Sequence, residues 1–412
     1  MGSTIFDPIL GRQRLNFPEI GPAAGQAAPG NTAATTLKPT ITCNAEGSFI
    51  VDAAQGLVQC SRNHRLAISG DIIDLSGVWA DGLRLASLNN SVTSLTIDNV
   101  VGLSSPVVSG TTSALSTLVL PTAKYFKVST SVGLDSLSII SAPELLVFDS
   151  DKSLPTTLDM PKLVSLNATF TSNNLINYVA PPTLRNVSAT GFFIALGAHD
   201  FSHCTYVMLN GESGTSGNAI ALNVSGAVFL QLALAGSGYA VTDLTLPPIG
   251  TLKSAGSITL GGNTNLGDAK MTELLALLAS LDGSVGVDKY QNTVTLTGLN
   301  PSPTFTGTPR TLVSVVGAST YVDVTFAAPH GLGVGDAFTV YGSSINAQNG
   351  TYRVASLDGV TPLTKLRYTK TAVGTSTGTP VVRLPVDATE GNLYYVHQLV
   401  KQGATVVYKL PA

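Results

Sequence analysis

The sequence predicts a mainly β protein: a solenoid of stacked coils with a helical C-terminal cap, followed by a small β-barrel or β-sandwich domain. Three observations predict it. A short pattern returns between Leu115 and Ala189, as LSTLVLPT, LDSLSIISAPEL, TTLDMPKLVSL and LINYVAPPTLRNV. Its prolines, Pro121, Pro143, Pro161 and Pro181, are spaced by about twenty residues, the length of a short structural repeat. The segments SLTID (94–98), TLVLP (117–121) and SLSII (136–140) alternate with period two, as strands with one face inward do. The composition is 44% apolar and 11% charged, well under the usual quarter of charged residues and rich in glycine, serine and threonine.

A unit of that length holds one strand and a return path, and it cannot bury its apolar side alone. Stacking is expected to place Leu118, Leu137, Leu158 and Leu166 over one another in a continuous core. A proline after each strand ends the ladder, because it lacks the donor. Period and pattern resemble leucine-rich repeats, so the fold class is a leucine-rich-repeat-like solenoid. The copy FSHCTYVMLN resembles their irregular FxxCxxLxxL form, which implies Phe201 and Cys204 in the core. A further copy, LTLPPIGTL (244–252), follows after roughly three periods. The alternative is an ordinary sandwich of two face-to-face antiparallel sheets.

Taken in order, residues 1–40 form an arm and a linker. IFDPILGRQRLNF offers an apolar patch with two arginines, and GPAAGQAAPGNTAATT is flexible by composition. The arm is expected to dock into another protein through Ile5, Phe6, Asp7, Pro8, Ile9 and Leu10; the alternative is an unstructured terminus. Residues 41–80 read as short strands capping the apolar end of the array, with Leu75 and Trp79 in the plug. The solenoid then spans 81–300. It closes on a helix at 268–282, where Met271, Leu274, Leu275, Leu278 and Leu281 fall at helical spacing. Thr272 or Asp268 is expected to cap the helix start, and Gly283 follows its end. Residues 301–309 read as a Pro-rich linker, 310–385 as the small β-domain, and 386–412 as a β-hairpin tail turning at Gln402-Gly403. Tyr394, Tyr395 and Tyr408 in that tail suit self-packing in an oligomer, or contact with a sugar or a protein.

Composition also excludes functions. A net charge of −3 gives no electrostatic case for nucleic acid or an anionic membrane. The apolar run AIALNVSGAVFLQLALAG (219–236) carries Asn223, Ser225 and Gln231, and reads as two buried strands rather than a membrane span. The N-terminus has no evident signal peptide. Of the 3 cysteines, Cys43 and Cys60 are near enough to be strand neighbours; free thiols are the expectation and pairing the alternative. His199 and His203 are four apart, as on a zinc-binding helix face, with Asp200 and Cys204 beside them; flanking a turn is the expected role. Asp149 and Asp151 would share a strand face, and glycan cleavage uses two carboxylates held close together, but an Asp- and Ser-rich turn is the expected reading. GLGVGD lacks the Gly-Lys-Ser/Thr ending of a phosphate loop, and His330 reads as a turn-stabilising histidine. No nucleophile elbow, CxxC pair or basic patch with aromatics is present. The expectation is a protein that is not an enzyme and takes no metal or cofactor.

Further resemblances bear on function. IFDPILGR (5–12) resembles the opening of tail-fibre and appendage proteins of tailed bacteriophages, where such a run belongs to the virion-attachment end. The helix, turn, strand and Pro-rich exit at 265–309 resemble the end of leucine-rich repeats in phage and bacterial surface proteins. AAPHGLGVGDAFTVYG…NAQNGTYRVASLD…LRYTK resembles the small β-domain of phage tail and baseplate proteins. There Gly331, Gly333 and Gly335 permit a tight turn, Asn349-Gly350 signals a hairpin, and Phe338, Tyr352 and Tyr368 are core or rim aromatics. These resemblances imply a structural component of a virion: a tail fibre, spike or collar/baseplate appendage. They imply attachment to other virion proteins through the arm, contact with host surface glycan or protein, and a homo-oligomer, with a trimer first. The alternatives are a glycan depolymerase tailspike with Asp149 and Asp151 as its acids, and a bacterial surface adhesin.

Overall fold

The computed structural model describes residues 116–128, 139–150, 157–169, 180–190, 197–211, 218–234, 239–281, 292–358 and 363–410, together with the strands lying between residues 4 and 109. The protein is mainly β and carries a β-solenoid. It divides into two compact units, Met1–Ala189 and Thr190–Ala412.

In the first unit each coil contains two strands rather than the one expected. Thr117–Val119 leads into Tyr125–Val128, Ile139–Ser141 into Val147–Ser150, and Thr157–Asp159 into Ser165–Thr169. All pair in parallel with the next coil, so these are not antiparallel sandwich sheets. The second strand fits because the corner between the two is only a tight turn. The N–H of Leu145 reaches the carbonyl of Ala142 at 3.0 Å, and Leu163 and Leu184 repeat this with Met160 and Pro181. Pro143, Pro161 and Pro182 occupy the second turn position, where a preset φ and a missing donor are both tolerated.

Two strands make two core columns. Leu118 stands in register with Ile140 and Leu158 on one side. Phe126, Phe148 and Leu166 stack on the other, the two rings 5.4 Å apart. The expected single Leu column therefore mixed two faces, and its Leu137 lies outside the described residues. Parallel pairing also begins earlier than expected. Ile73–Asp81, within the segment read as a cap, already pairs in parallel with Ser94–Ser104, and Trp79 stands opposite Gly102 in that ladder. The strands Ser48–Ala53, His64–Ala67 and Leu83–Ala86 pair antiparallel.

The second unit repeats the plan with Gly197–Asp200 and Tyr206–Asn210, Asn218–Asn223 and Phe229–Leu234, then Tyr239–Thr245 and Ser254–Leu260. The run at 219–236 is thus two strands, as expected. Leu209, Leu232, Ile258 and Val294 form one buried column, and Leu234, Leu260 and Leu296 another. Helix α1, Gly267–Ala279, closes this core with Met271, Leu274, Leu275, Leu277 and Leu278. Neither expected residue caps it: Thr272 Oγ1 donates back to the Asp268 carbonyl. Its entry is held instead by Asn300 Oδ1, which accepts from Leu266 N, and Asn265 Oδ1, which accepts from Gly267 N.

After Thr293–Leu296 the chain leaves the coils to form an eight-stranded antiparallel sheet between Arg310 and Arg383. Its core holds Val315, Val324, Phe338, Leu366, Tyr368 and Val382. The hairpin signal at Asn349-Gly350 marks a wider loop. Gly350 already pairs with Val340, while the Asn349 amide clasps both backbone groups of Ser343.

The tail is not a β-hairpin. Leu393–Gln402 is helix α2, burying Leu393, Val396, Leu399 and Val400, and Gly403 ends it in the left-handed region at φ 104. The N–H of Ala404 closes on the Leu399 carbonyl at 3.0 Å, a left-handed glycine stop rather than a hairpin turn. Thr405–Tyr408 then lies parallel to Thr293–Leu296, with Val406 opposite Val294. The chain thus returns to the coil it left. The two crossing points are tied together: Asn392 Oδ1 accepts from Thr304 N at 2.6 Å, Thr304 Oγ1 accepts from Asn392 N at 3.1 Å, and Leu393 N donates to the Thr304 carbonyl.

Candidate functional site

The residue that opens the strand after each described corner faces outward, and the register sets these residues at the same rung position. In the first unit this position is Tyr125, Val147 and Ser165; in the second it is Tyr206, Phe229 and Ser254. The coils thereby build side-chain ladders on their outer faces, and these are the surfaces a partner can read.

The first unit's ladders are ionic. Glu144 sits between Lys124, at 2.6 Å, and Lys162, and these two hydrogen-bonded ammonium groups pull its carboxyl down to about 2. One strand over, Asp149 faces Lys127 at 3.7 Å and accepts from Asn167 Nδ2 at 2.8 Å. Asp149 is thus engaged by a cation and an amide in neighbouring coils. Asp151, its proposed partner acid, lies outside the described residues.

The second unit's ladder is aromatic and amidic. The Tyr206 and Phe229 rings stack 4.5 Å apart at an interplanar angle of 7°. Two positions along Phe229's strand, Gln231 donates to Asn210 Oδ1. Gln231 lies flat over Gly256, where a Cβ would meet its Oε1 at 2.2 Å; the glycine is needed for that approach.

A third cluster joins α2 to the antiparallel sheet. His397 Nε2 shares a 2.9 Å hydrogen bond with Thr339 Oγ1; Thr339 reaches Thr351 Oγ1 at 2.7 Å, and Thr351 reaches the Tyr408 hydroxyl at 2.7 Å. Burial, with Lys401 nearby, lowers the His397 pKa to about 3, and burial raises that of Tyr408. Beside it opens a groove of about 120 Å³ lined by Tyr394, His397 and the Lys401–Asp336 ion pair. A hydroxyl next to an imidazole suggests a nucleophile and base. Thr339, however, is buried and already bonded on both sides. The chain of hydroxyls therefore reads as a polar seam.

The residues singled out from sequence fall elsewhere. His199 lies on the strand Gly197–Asp200 and His203 in the following corner, so they do not share a helix face. Phe201 and Cys204 are buried there. Among the described residues no cluster of His, Cys, Asp and Glu could hold a metal ion, and no helix is long and apolar enough to cross a membrane. His330 Nδ1 accepts from Leu332 N at 3.0 Å and so steadies the turn at Gly331. In the N-terminal arm Thr4–Asp7 pairs antiparallel with Arg12–Leu15, which puts Ile5, Phe6 and Asp7 on a strand. Pro8, Ile9 and Leu10 lie outside the described residues, as does Cys60.

The chain matches no family model, no curated protein and no solved structure.

Sequence reasoning missed two features. The Tyr206–Phe229 pair was readable by aligning the copies on their corners, since each aromatic stands two places after one. The His397 seam left no such signal, because Thr339 and His397 are 58 residues apart.

Proposed function

We propose that the chain is a structural component of a tailed-phage virion, a fibre, spike or collar/baseplate appendage that takes part in attachment to the host surface. The observation that carries this reading is a β-solenoid whose described outer faces bear side-chain ladders, ionic at Glu144 and Asp149 and stacked at Tyr206 and Phe229. Such a scaffold serves as a spacer and display surface. The DPILG opening supports an anchoring role for the arm, through Ile5, Phe6, Asp7, Pro8, Ile9 and Leu10, toward other virion proteins. The PHGLxxGD…NGxYxV pattern supports a small tail-type β-domain at 310–385, and the corner pattern supports coils of leucine-rich-repeat type. By the same resemblance the protein is a homo-oligomer, a trimer first, located in the phage tail, collar or baseplate.

The test is removal of residues 1–40. The shortened chain is expected to fold, with an unchanged circular-dichroism spectrum, and to be absent from purified particles. Its incorporation at the wild-type level would refute the anchoring role. Incubation of the full chain with host capsule or lipopolysaccharide is expected to release no new reducing ends; their appearance would favour a depolymerase.

A further inference from the structure

The outward ladder of the second unit stops one rung short. Tyr206 and Phe229 stack face to face, and the register then places Ser254 opposite Phe229. Ser254 is exposed and has no ring to continue the stack. Gly256, farther along the same strand, leaves the space that the Gln231 side chain fills. On the far side of Ser254–Leu260, Asn292 Nδ2 donates to the Ala255 carbonyl at 2.8 Å. Among the described residues this leaves a slot over Ser254, one rung or about 4.8 Å from the rung of Phe229. Its wall is the outer face of Phe229, its floor is Ser254, and amides stand at Gln231 and Asn292.

We propose that this slot binds a neutral hexopyranose unit of a glycan, seated on Phe229 in the place where the next ring of the ladder would lie. A pyranose has an apolar C–H face for the ring and a rim of hydroxyls for the amides and for Ser254, which can both donate and accept. An aromatic side chain from a protein partner would match the ring alone and offer nothing to Gln231 Oε1, Asn292 Oδ1 or the Ser254 hydroxyl. Neutral sugars fit better than acidic ones, because the outward positions of Tyr206–Asn210, Phe229–Leu234 and Ser254–Leu260 carry no charged side chain and the ammonium of Lys253, beside Ser254, is held by the Gly250 carbonyl at 2.6 Å. The proposal names a ligand class for the attachment role above and rests on that reading for its biological setting. Its test reads the slot alone, whereas virion incorporation tests the attachment reading.

The experiment is saturation-transfer NMR on the full chain with the methyl glycosides of glucose, galactose, mannose and N-acetylglucosamine. Transfer to ring C–H protons of at least one sugar is expected. Phe229→Ala removes the wall, and Ser254→Tyr fills the slot while extending the ladder; each should weaken binding by about two- to tenfold, the worth of one stacking contact. Should Phe229→Ala fail to fold, Ser254→Tyr decides alone. No transfer from any of the four sugars, or undiminished binding by Ser254→Tyr, overturns the proposal. So does concentration-dependent self-association that Ser254→Tyr abolishes, which would give the slot to a second copy of the chain.

Discussion

A proline at the second corner position has no N–H, whereas Ser202 and Ser225, which hold that position in later coils, each have one to satisfy. The residue just before the corner supplies the acceptor: Asp200 Oδ1 takes the Ser202 N–H at 2.9 Å, and Asn223 Oδ1 takes that of Ser225 at 3.2 Å. Proline and the Asp/Asn-x-Ser form are thus two solutions to one corner. Asp200→Ala should destabilise by about 1 kcal/mol and Asp200→Asn by less, read as urea midpoints. The Ser202 hydrogen bonds hold the Asp200 carboxyl below its ordinary range, so its contribution is present above the unfolded pKa and fades as pH falls through the folded one. Gly226 is stricter, since a Cβ there would stand 1.9 Å from the Ser202 carbonyl oxygen. Gly226→Ala should cost about 1–3 kcal/mol as an overpacked contact, measured by the same midpoints. His397 works with the opposite charge. Its folded pKa, about 3, lies below the unfolded value, so the neutral ring stabilises the fold fully above about pH 6.5. Stability should fall as pH drops below that, by up to about 1.4 kcal/mol per unit. Thermal melts at pH 7 and pH 5 should show this slope, and His397→Gln should flatten it.

At the scale of elements, α2 shows where local reading misled, while the final strand was expected as a strand but pairs with Thr293–Leu296 rather than within a hairpin. YYVHQLV and ATVVYKL both look like strands by residue type, and Gln402-Gly403 between them looks like a turn. Only Leu393, Val396, Leu399 and Val400, all buried, show the helical period, and the same glycine serves as a helix stop. Helix α1 was legible because Met271, Leu274, Leu275 and Leu278 repeat at helical spacing, although it ends at Ala279, short of the Leu281 that the expected span 268–282 included. Its caps were not, because Asn300 lies 34 residues from the N–H it accepts. The single-strand coil was misread for a related reason: three- and four-residue strands such as Thr117–Val119 and Tyr125–Val128 are too short to show two separate periodicities. The clasp between Thr304 and Asn392 yields a prediction at this scale. Asn392 is buried, and its amide joins Thr304 N to Thr272 Oγ1. Asn392→Ala orphans the Thr304 donor and should lower stability by about 1–3 kcal/mol, visible as a lower melting temperature.

For the whole chain, the repeat and the parallel coils could be read ahead of the structure because proline corners recur in the sequence itself. The stacked aromatics follow once the copies are aligned on their corners, whereas the charged ladders need the side-chain partners of neighbouring coils and the hydroxyl seam needs Thr339 and His397 brought together across 58 residues. Removing residues 393–412 should expose Val294, Leu296 and the inner side of α1, leaving a second unit that binds hydrophobic dyes and loses its cooperative melt. A sharp, unshifted transition in calorimetry would contradict this. The clasp has one more consequence. Since the chain departs and rejoins at neighbouring atoms, the coils are indifferent to what is threaded between Thr304 and Asn392, provided its ends meet there and it covers His397 and Tyr408. The position would then serve as a socket: another fold exchanged between Thr304 and Asn392 on those terms should leave the same spiral beneath.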